Sequence, residues 1–410
     1  MSFGRNSYDW RIGVNIERMR KERLERAKKQ MKEKDLDAMI LLDLANVRYT
    51  TSTATPPWMI RVPGWRYAVV TRDQIPLLYE HGDIKYTMLE EAPWLEGNIK
   101  SAIVWLRGST GVWPETIAKR WAEDIKEEIK ARGQLNGRIG MDVHDFYAVQ
   151  GLKSVGITPV DAQTAMVDAR KIKTEDEIEC LRIACAISEA VFNEVAKQIR
   201  PGVTERELVG YGSKVAWALG ADDNIGFTVT SGHYGWPNFK FHTDRMVRPN
   251  EVVNYDIGGL AWNGYLADWY RVFSCGPPSQ RMKDYYKRTY DWLYAAIRKI
   301  KPGATTDQLA AEWPDSTKEW GYKSEWEAIA NQWGHGIGLS LYEPPNVSRA
   351  FSFEFPQKIE ENMTFSVETQ DGRPHDGGTR IEEMIRVTSG GYEILSKWPS
   401  DEMTVLPLTN

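Results

Sequence analysis

Cysteine is scarce in this chain: Cys180, Cys185 and Cys275 are the three among 410 residues. They are too few for a disulfide scaffold, and no pair has metal-ligand spacing, so a reducing compartment is expected. No stretch reaches the roughly 20 apolar residues that span a bilayer. The opening MSFGRNSYDW also lacks the apolar run of a signal peptide. The expected location is therefore cytoplasmic, with no membrane partner. An excess of positive charge is missing too: 52 Lys and Arg stand against 57 Asp and Glu, a formal net charge of -5. No dominant positive field is left to hold a phosphate backbone, which excludes nucleic acid as an expected partner.

What is present is an ordinary globular composition, 42% hydrophobic, in a chain long enough for two domains. Tryptophan is abundant, at 17 residues. Most are expected in the core or at a subunit interface. Trp58, Trp65 and Trp236, beside Gly or Pro, are candidates to line a substrate pocket, because aromatic faces suit a cation.

Apolar spacing predicts a helix over 14–33, a buried strand over 35–43 and a turn-rich connection over 46–57. Strands follow at 65–71, 75–80, 101–106 and 137–142, with a helix over 114–130. This alternation predicts a small α/β domain over 1–165. The second domain, 166–410, opens with Thr174 and Glu177 as a capping box. Its helix is stopped by Pro201–Gly202, and Thr204 with Glu207 caps the next one, to about Leu219. Extended segments then carry polar residues in their interiors, and helices return at 280–299 and 306–312.

Those interior polar residues carry the chemistry. VVNYDIGG (252–259) holds Asp256 and GYLADWYRVF (264–273) holds Asp268, in two strands close enough to pair. MTFSVET (363–369) ends an apolar run on Glu368, and TRIEEMIRV (379–387) holds Glu382, with Glu383 pointing to the opposite face, towards solvent or a helix. QWGHGIGLSLYEPP (332–345) sets His335 between glycines. Singly, each has a bland reading as a hairpin cap or a packed histidine. Brought together, four carboxylates would repel each other without a counter-ion. The set matches a centre for one or two divalent transition-metal ions such as Mn, Fe, Co or Zn.

These motifs resemble the metallopeptidase family of creatinase, prolidase, Xaa-Pro aminopeptidase and methionine aminopeptidase. The likeness covers essentially the whole chain, with GHGIG (334–338), SVET (366–369) and RIEE (380–383) in order. It implies a creatinase-like N-terminal domain, an α+β pita-bread catalytic domain, a homodimer, and Asp256, Asp268, His335, Glu368 and Glu382 as metal ligands. Two departures stand out. The aspartates are twelve residues apart, one more than the usual peptidase pattern, with Gly258 where some relatives have a carboxylate. Tyr342 stands before Glu343 where peptidases of the family have a histidine.

Tyr342 and Glu343 are thus candidates for proton transfer or oxyanion stabilisation, as are His233 and His242 in SGHYGWPNFKFHTDR (231–245). Arg380, Trp58, Trp65 and Trp236 are substrate-binding candidates, the first two tryptophans from a partner subunit. The first functional reading is hydrolysis of a C–N bond in a dipeptide or small polar amide. The alternative, from a likeness to the dimethylsulfoniopropionate lyase branch, is C–S lysis with a metal-site carboxylate as base. A non-catalytic binding protein is the third.

Overall fold

The computed structural model describes residues 13–56, 58–59, 64–224, 226–237, 241–328 and 333–408. The leader reading of residues 1–10 and residues 238–240 of the 231–245 stretch lie outside them. The chain divides into two compact units, Asn15–Arg170 and one built on Lys171–Asn410.

In the first unit the helix Ile16–Glu33 buries Met19, Ala27 and Met31 along one face. Six strands follow: β1 (Ala38–Leu41), β2 (Tyr67–Thr71), β3 (Leu77–Glu80), β4 (Ile99–Ser101), β5 (Ile139–Met141) and β6 (Val160–Asp161). They form one sheet in the order β4-β3-β2-β1-β5-β6. The helix Pro114–Ala131 lays Ala118, Trp121, Ala122, Ile125 and Ile129 into its core. Two expectations are corrected. The connection at 46–57 begins as a helix, Leu44–Thr51. Asp43 caps it, accepting from the Ala45 and Asn46 amides at 2.8 and 3.2 Å. Thr50 and Thr51 return their hydroxyls to the Asn46 and Val47 carbonyls, so these β-branched residues satisfy their polar atoms within the helix. The strand expected over 101–106 ends at Ser101, on the sheet edge.

The second unit opens with helices Glu175–Gln198 and Glu205–Ala218, each closed by its expected capping box. Its strands are β7 (Asp223–Asn224), β8 (Phe227–Ser231), β9 (Glu251–Trp262), β10 (Tyr265–Cys275), β11 (Gly334–Gly336), β12 (Glu343–Val347), β13 (Thr364–Arg373), β14 (Gly377–Thr388), β15 (Gly391–Ile394) and β16 (Thr404–Leu406). One sheet runs β16-β10-β9-β7 with β8 also on β9; the other runs β12-β11-β13-β14-β15. Asn263 and Gly264, both at positive φ, make the two-residue turn between β9 and β10. The helix Gln280–Ile297 covers the second sheet, packing Leu293, Ala296 and Ile297 with Phe365, Val367, Ile381 and Ile385.

The two sheets are tied together where the polar residues sit. Ser366 donates to the Asp268 carbonyl at 2.8 Å. Arg271, 1% exposed, donates to the carbonyls of Tyr270 (2.8 Å) and Glu382 (2.6 Å) and to the Glu383 carboxylate at 2.8 Å. Glu383 also accepts from Tyr294 of the covering helix at 2.9 Å. Glu383 therefore does point away from Glu382, but into a buried knot rather than to solvent.

Candidate metal centre

The pairing of β9 with β10 decides which way the two aspartates face. Ala267 pairs with Leu260 but Asp268 pairs with Gly258, so Gly259 is an extra residue on β9. Its φ of +97° is left-handed, as a glycine bulge permits. An unbulged hairpin through the same turn would pair Asp268 with Gly259 and put Asp256 on the opposite face. The bulge restores the register: Asp256 pairs with Tyr270, Asp268 with Gly258, and all four share one face. The twelve-residue separation is thereby reconciled with a common site.

The second sheet supplies the rest. Glu368 pairs directly with Glu382, and His335 pairs with Ser366, two residues from Glu368. These residues again share a face. Ligand atoms of Asp268, His335 and Glu382 converge within 4.8 Å of one another, all three side chains buried. His335 Nε2 lies 3.4 Å from Asp268 Oδ2. Burial alone would lower the His335 pKa, but the hydrogen bond and charge of Asp268 outweigh it and the imidazole ends above its ordinary value.

Glu382 is fully buried, and neither carboxylate oxygen has a hydrogen-bond partner. Asp256 Oδ1 has none either. A buried acceptor left unsatisfied costs about 1–3 kcal/mol, and more when charged. Burial first, then the charge of Asp268, hold both the Glu382 and the Asp256 acids well above the usual carboxylate range. A divalent cation is what such orphaned oxygens and one imidazole fit, and the mixed O/N donor set suits a borderline metal. Asp268, His335 and Glu382 form a site of that kind.

Glu368 is held differently. Its Oε2 accepts from Tyr270 Oη at 2.7 Å and from Arg380 Nε at 3.0 Å, and Arg380 Nη2 closes on the same oxygen. Arg380, expected to bind substrate, thus has its guanidinium on a site carboxylate. Tyr342 is 61% exposed, its ring 4.5 Å from the His335 ring. Partial burial, then Asp268 and the neighbouring glutamates, push its phenol up to about 12. Glu343 lies in a buried pair instead: it accepts from Lys173 Nζ at 2.8 Å, both side chains 1% exposed, and from the Ser340 amide. That pair anchors the loop after His335 and leaves Glu343 poorly placed to carry protons, contrary to expectation. His233 is exposed and lies 4.3 Å from the Tyr234 ring, while His242 Nδ1 contacts the Phe227 carbonyl. Neither joins the three-residue cluster. Trp236 is 6% exposed, its ring tilted against that of Trp320 at 5.4 Å, built into the core rather than presented as a pocket wall. Trp58 and Trp65 belong to the first unit, where they cluster with His81.

Sequence reasoning missed three residues. Tyr270 lies two positions after Asp268 and so on its face, a signal that strand periodicity offers. Arg271 and Asn254 are less legible. Asn254 ties β9 to β14, donating to the Gly378 carbonyl and accepting from the Arg380 amide.

The family model Metallopeptidase family M24 matches residues 179–389, more than half of the chain and spanning every residue of the converging cluster. The chain belongs to metallopeptidase family M24. The Creatinase/Prolidase N-terminal domain model matches residues 23–172 of this family member. Among curated relatives, it is 30% identical over 256 residues to the probable dipeptidase PepE of Mycobacterium tuberculosis. That match takes in 62% of this chain and 66% of the relative, just under two thirds of its length. It is 25% identical to the Xaa-Pro dipeptidase of Pyrococcus furiosus, over 92% of this chain and 98% of that one. Among solved structures, an Xaa-Pro dipeptidase from Bacillus anthracis aligns with a TM-score of 0.76 at 23% identity, covering 94% of this chain and 99% of that one. Its likeness speaks for the fold. These relatives carry dipeptidase names, and the resemblance to a lyase branch gains no support from them. No helix among the described residues is long and apolar enough to cross a membrane.

Proposed function

We propose that this chain is a metal-dependent hydrolase that cleaves a C–N bond in a small polar substrate, of the Xaa-Pro dipeptide or small-amide type. The observation that carries this is the convergence of Asp268, His335 and Glu382, with both oxygens of Glu382 unpartnered. Asp268, His335 and Glu382 would hold a divalent ion, with Asp256 and Glu368 beside it. Bound there, such an ion supplies Lewis acidity and brings the ionisation of water towards neutral pH.

The chain's own residues define the remaining chemistry. Tyr342, with its pKa at about 12, keeps its proton at neutral pH. It therefore acts as a hydrogen-bond donor to negative charge developing on the substrate, not as a base. The Lys173–Glu343 pair fixes the loop that carries Tyr342. Arg271 holds the Tyr270 and Glu382 backbones together and so fixes the spacing of the two ligand-bearing sheets. The active unit is a homodimer, with Trp58 and Trp65 as candidate contributors to the neighbouring site. The names of the dipeptidase relatives support the peptide class of substrate.

The test is a product screen of Mn(II)-loaded protein against Xaa-Pro dipeptides, cyclic and linear small amides, and dimethylsulfoniopropionate. Release of a free amine or proline is expected. Acrylate and dimethyl sulfide without any amine product would replace hydrolysis with lysis.

A further inference from the structure

We propose, building on the metal-site reading above, that Ser366 and Met384 are positioning residues for Asp268. Together they hold its backbone from the second sheet, and Cys185 in turn holds the Met384 thioether.

The need for such a hold lies in β10. Among the described residues, β16 runs beside this strand only at Phe273–Cys275, so at Asp268 the outer edge of β10 has no neighbouring strand. In a strand, the N–H and C=O of one residue point to the same edge. Leu266, Asp268 and Tyr270 alternate along that edge, and each finds a different partner. The Leu266 amide meets the Gly338 carbonyl at 2.9 Å, and the Tyr270 carbonyl accepts from Arg271 at 2.8 Å. Asp268, between them, is gripped by two side chains. Its carbonyl accepts from Ser366 Oγ at 2.8 Å, and its amide donates to Met384 Sδ at 3.3 Å. A thioether is a weak acceptor, but a leucine filling the same space would offer none.

The register makes this a built arrangement. Ser366 pairs directly with Met384 across β13 and β14, and His335 pairs with Ser366 from the other side. One row across the second sheet therefore reaches Asp268 at three points: His335 at the carboxylate, Ser366 at the carbonyl and Met384 at the amide. All three are buried. Met384 is fixed in turn, its amide donating to Ser396 Oγ at 3.1 Å and its carbonyl accepting from the Leu395 amide at 2.8 Å. Behind it, Cys185 of the helix Glu175–Gln198 lies with Sγ 3.4 Å from Met384 Sδ. Burial pushes that thiol up, so it keeps its proton and donates to the thioether. With both backbone groups pinned, the Asp268 carboxylate is aimed to within the roughly 0.5 Å that a working site demands.

The experiment compares full-length wild type with Met384→Leu, Ser366→Ala and a control, Ser274→Ala. The control removes a buried hydroxyl from the same strand that bonds to the Gly276 carbonyl instead. Each protein is stripped with a chelator, melted, and titrated with Mn(II) by equilibrium dialysis; Co(II)-loaded samples give the visible absorption of the bound ion. Met384→Leu and Ser366→Ala should each weaken Mn(II) binding about tenfold, the lower end for groups that act through a ligand, and alter the Co(II) bands. Ser274→Ala should lower the melting temperature with metal affinity and Co(II) bands unchanged. Ser366→Ala serves if Met384→Leu fails to fold. In metal-free protein the Cys185 S–H stretch, identified by its loss in Cys185→Ala, should shift in Met384→Leu; an unmoved band would remove Cys185 from the arrangement. A tight ion in wild type whose affinity neither Met384→Leu nor Ser366→Ala changes would overturn the inference alone. No tight ion in wild type would remove the metal reading and this inference with it.

Discussion

Two buried carboxylates, one in each unit, have opposite surroundings. Asp142, in the first unit, accepts from the Leu42 and Asp43 amides at 2.7 and 3.1 Å and from Asn46 Nδ2 at 2.8 Å. Glu382, in the second, is more deeply buried and accepts from nothing. The first unit also encloses Arg66 and Glu80 as an ion pair at 3.0 Å, both side chains 0% exposed. The fold gives Asp142 three donors and Glu80 a counter-charge; it gives the Glu382 carboxylate no donor, and a bound cation would complete that arrangement.

The comparison can be broken most directly at His335. His335→Ala should reduce metal retention and kcat/KM together by at least about 100-fold, more than loss of a residue that merely supports a ligand. Metal analysis alongside steady-state kinetics checks this, and unchanged metal content would remove His335 from the centre. Asp142→Ala should do the reverse. It removes the acceptor of three donors, one of which (Asn46 Nδ2) keeps Gln163, so chemical denaturation should show a loss of about 2–3 kcal/mol, with metal content and kcat intact.

Glu382→Gln should abolish activity yet stabilise the metal-free protein by about 1–2 kcal/mol, because it removes a carboxylate whose folded form resists ionisation. The pH dependence follows from the same shift. Glu382 and Asp256 are raised, so the folded metal-free chain keeps protons that the unfolded chain has lost. Their contribution to stability is therefore fully present below about pH 4 and declines as pH rises through the folded pKa. Mn(II) should tighten and reverse the decline as those protons leave. Asp142, pushed up to about 6 mainly by burial, has the same sign, but its window closes near pH 6 and should not respond to metal. Melting temperatures across this range, with chelator or with Mn(II), separate the two. The smallest effect is expected at Tyr342: Tyr342→Phe should lower kcat about tenfold with metal content unchanged. An unchanged kcat would return the ring to packing against His335.

Legibility followed the reach of the signals. Capping boxes at Thr174 and Thr204 and the helix over 114–130 were readable because they depend on residues within one or two turns. Asp268, His335 and Glu382 stood out because each interrupts an apolar run or sits between glycines. The Leu44–Thr51 helix was obscured because threonine favours extended backbone unless its hydroxyl finds a local carbonyl, which only the fold reveals. The fates of Glu343 and Arg380 were hidden for a different reason. Their partners, Lys173 and Tyr270, lie 170 and 110 residues away.

The bulge at Gly259 bears on how such chains are compared. In a hairpin, one inserted residue acts like a frameshift, exchanging inside for outside along the rest of the strand. A compensating bulge restores the frame without restoring the count. An alignment that scores spacing alone would penalise Asp256 for its extra residue or slide it onto a neighbour facing the wrong way. Counting the parity of the hairpin together with its left-handed glycines identifies the equivalent aspartate where residue counting does not.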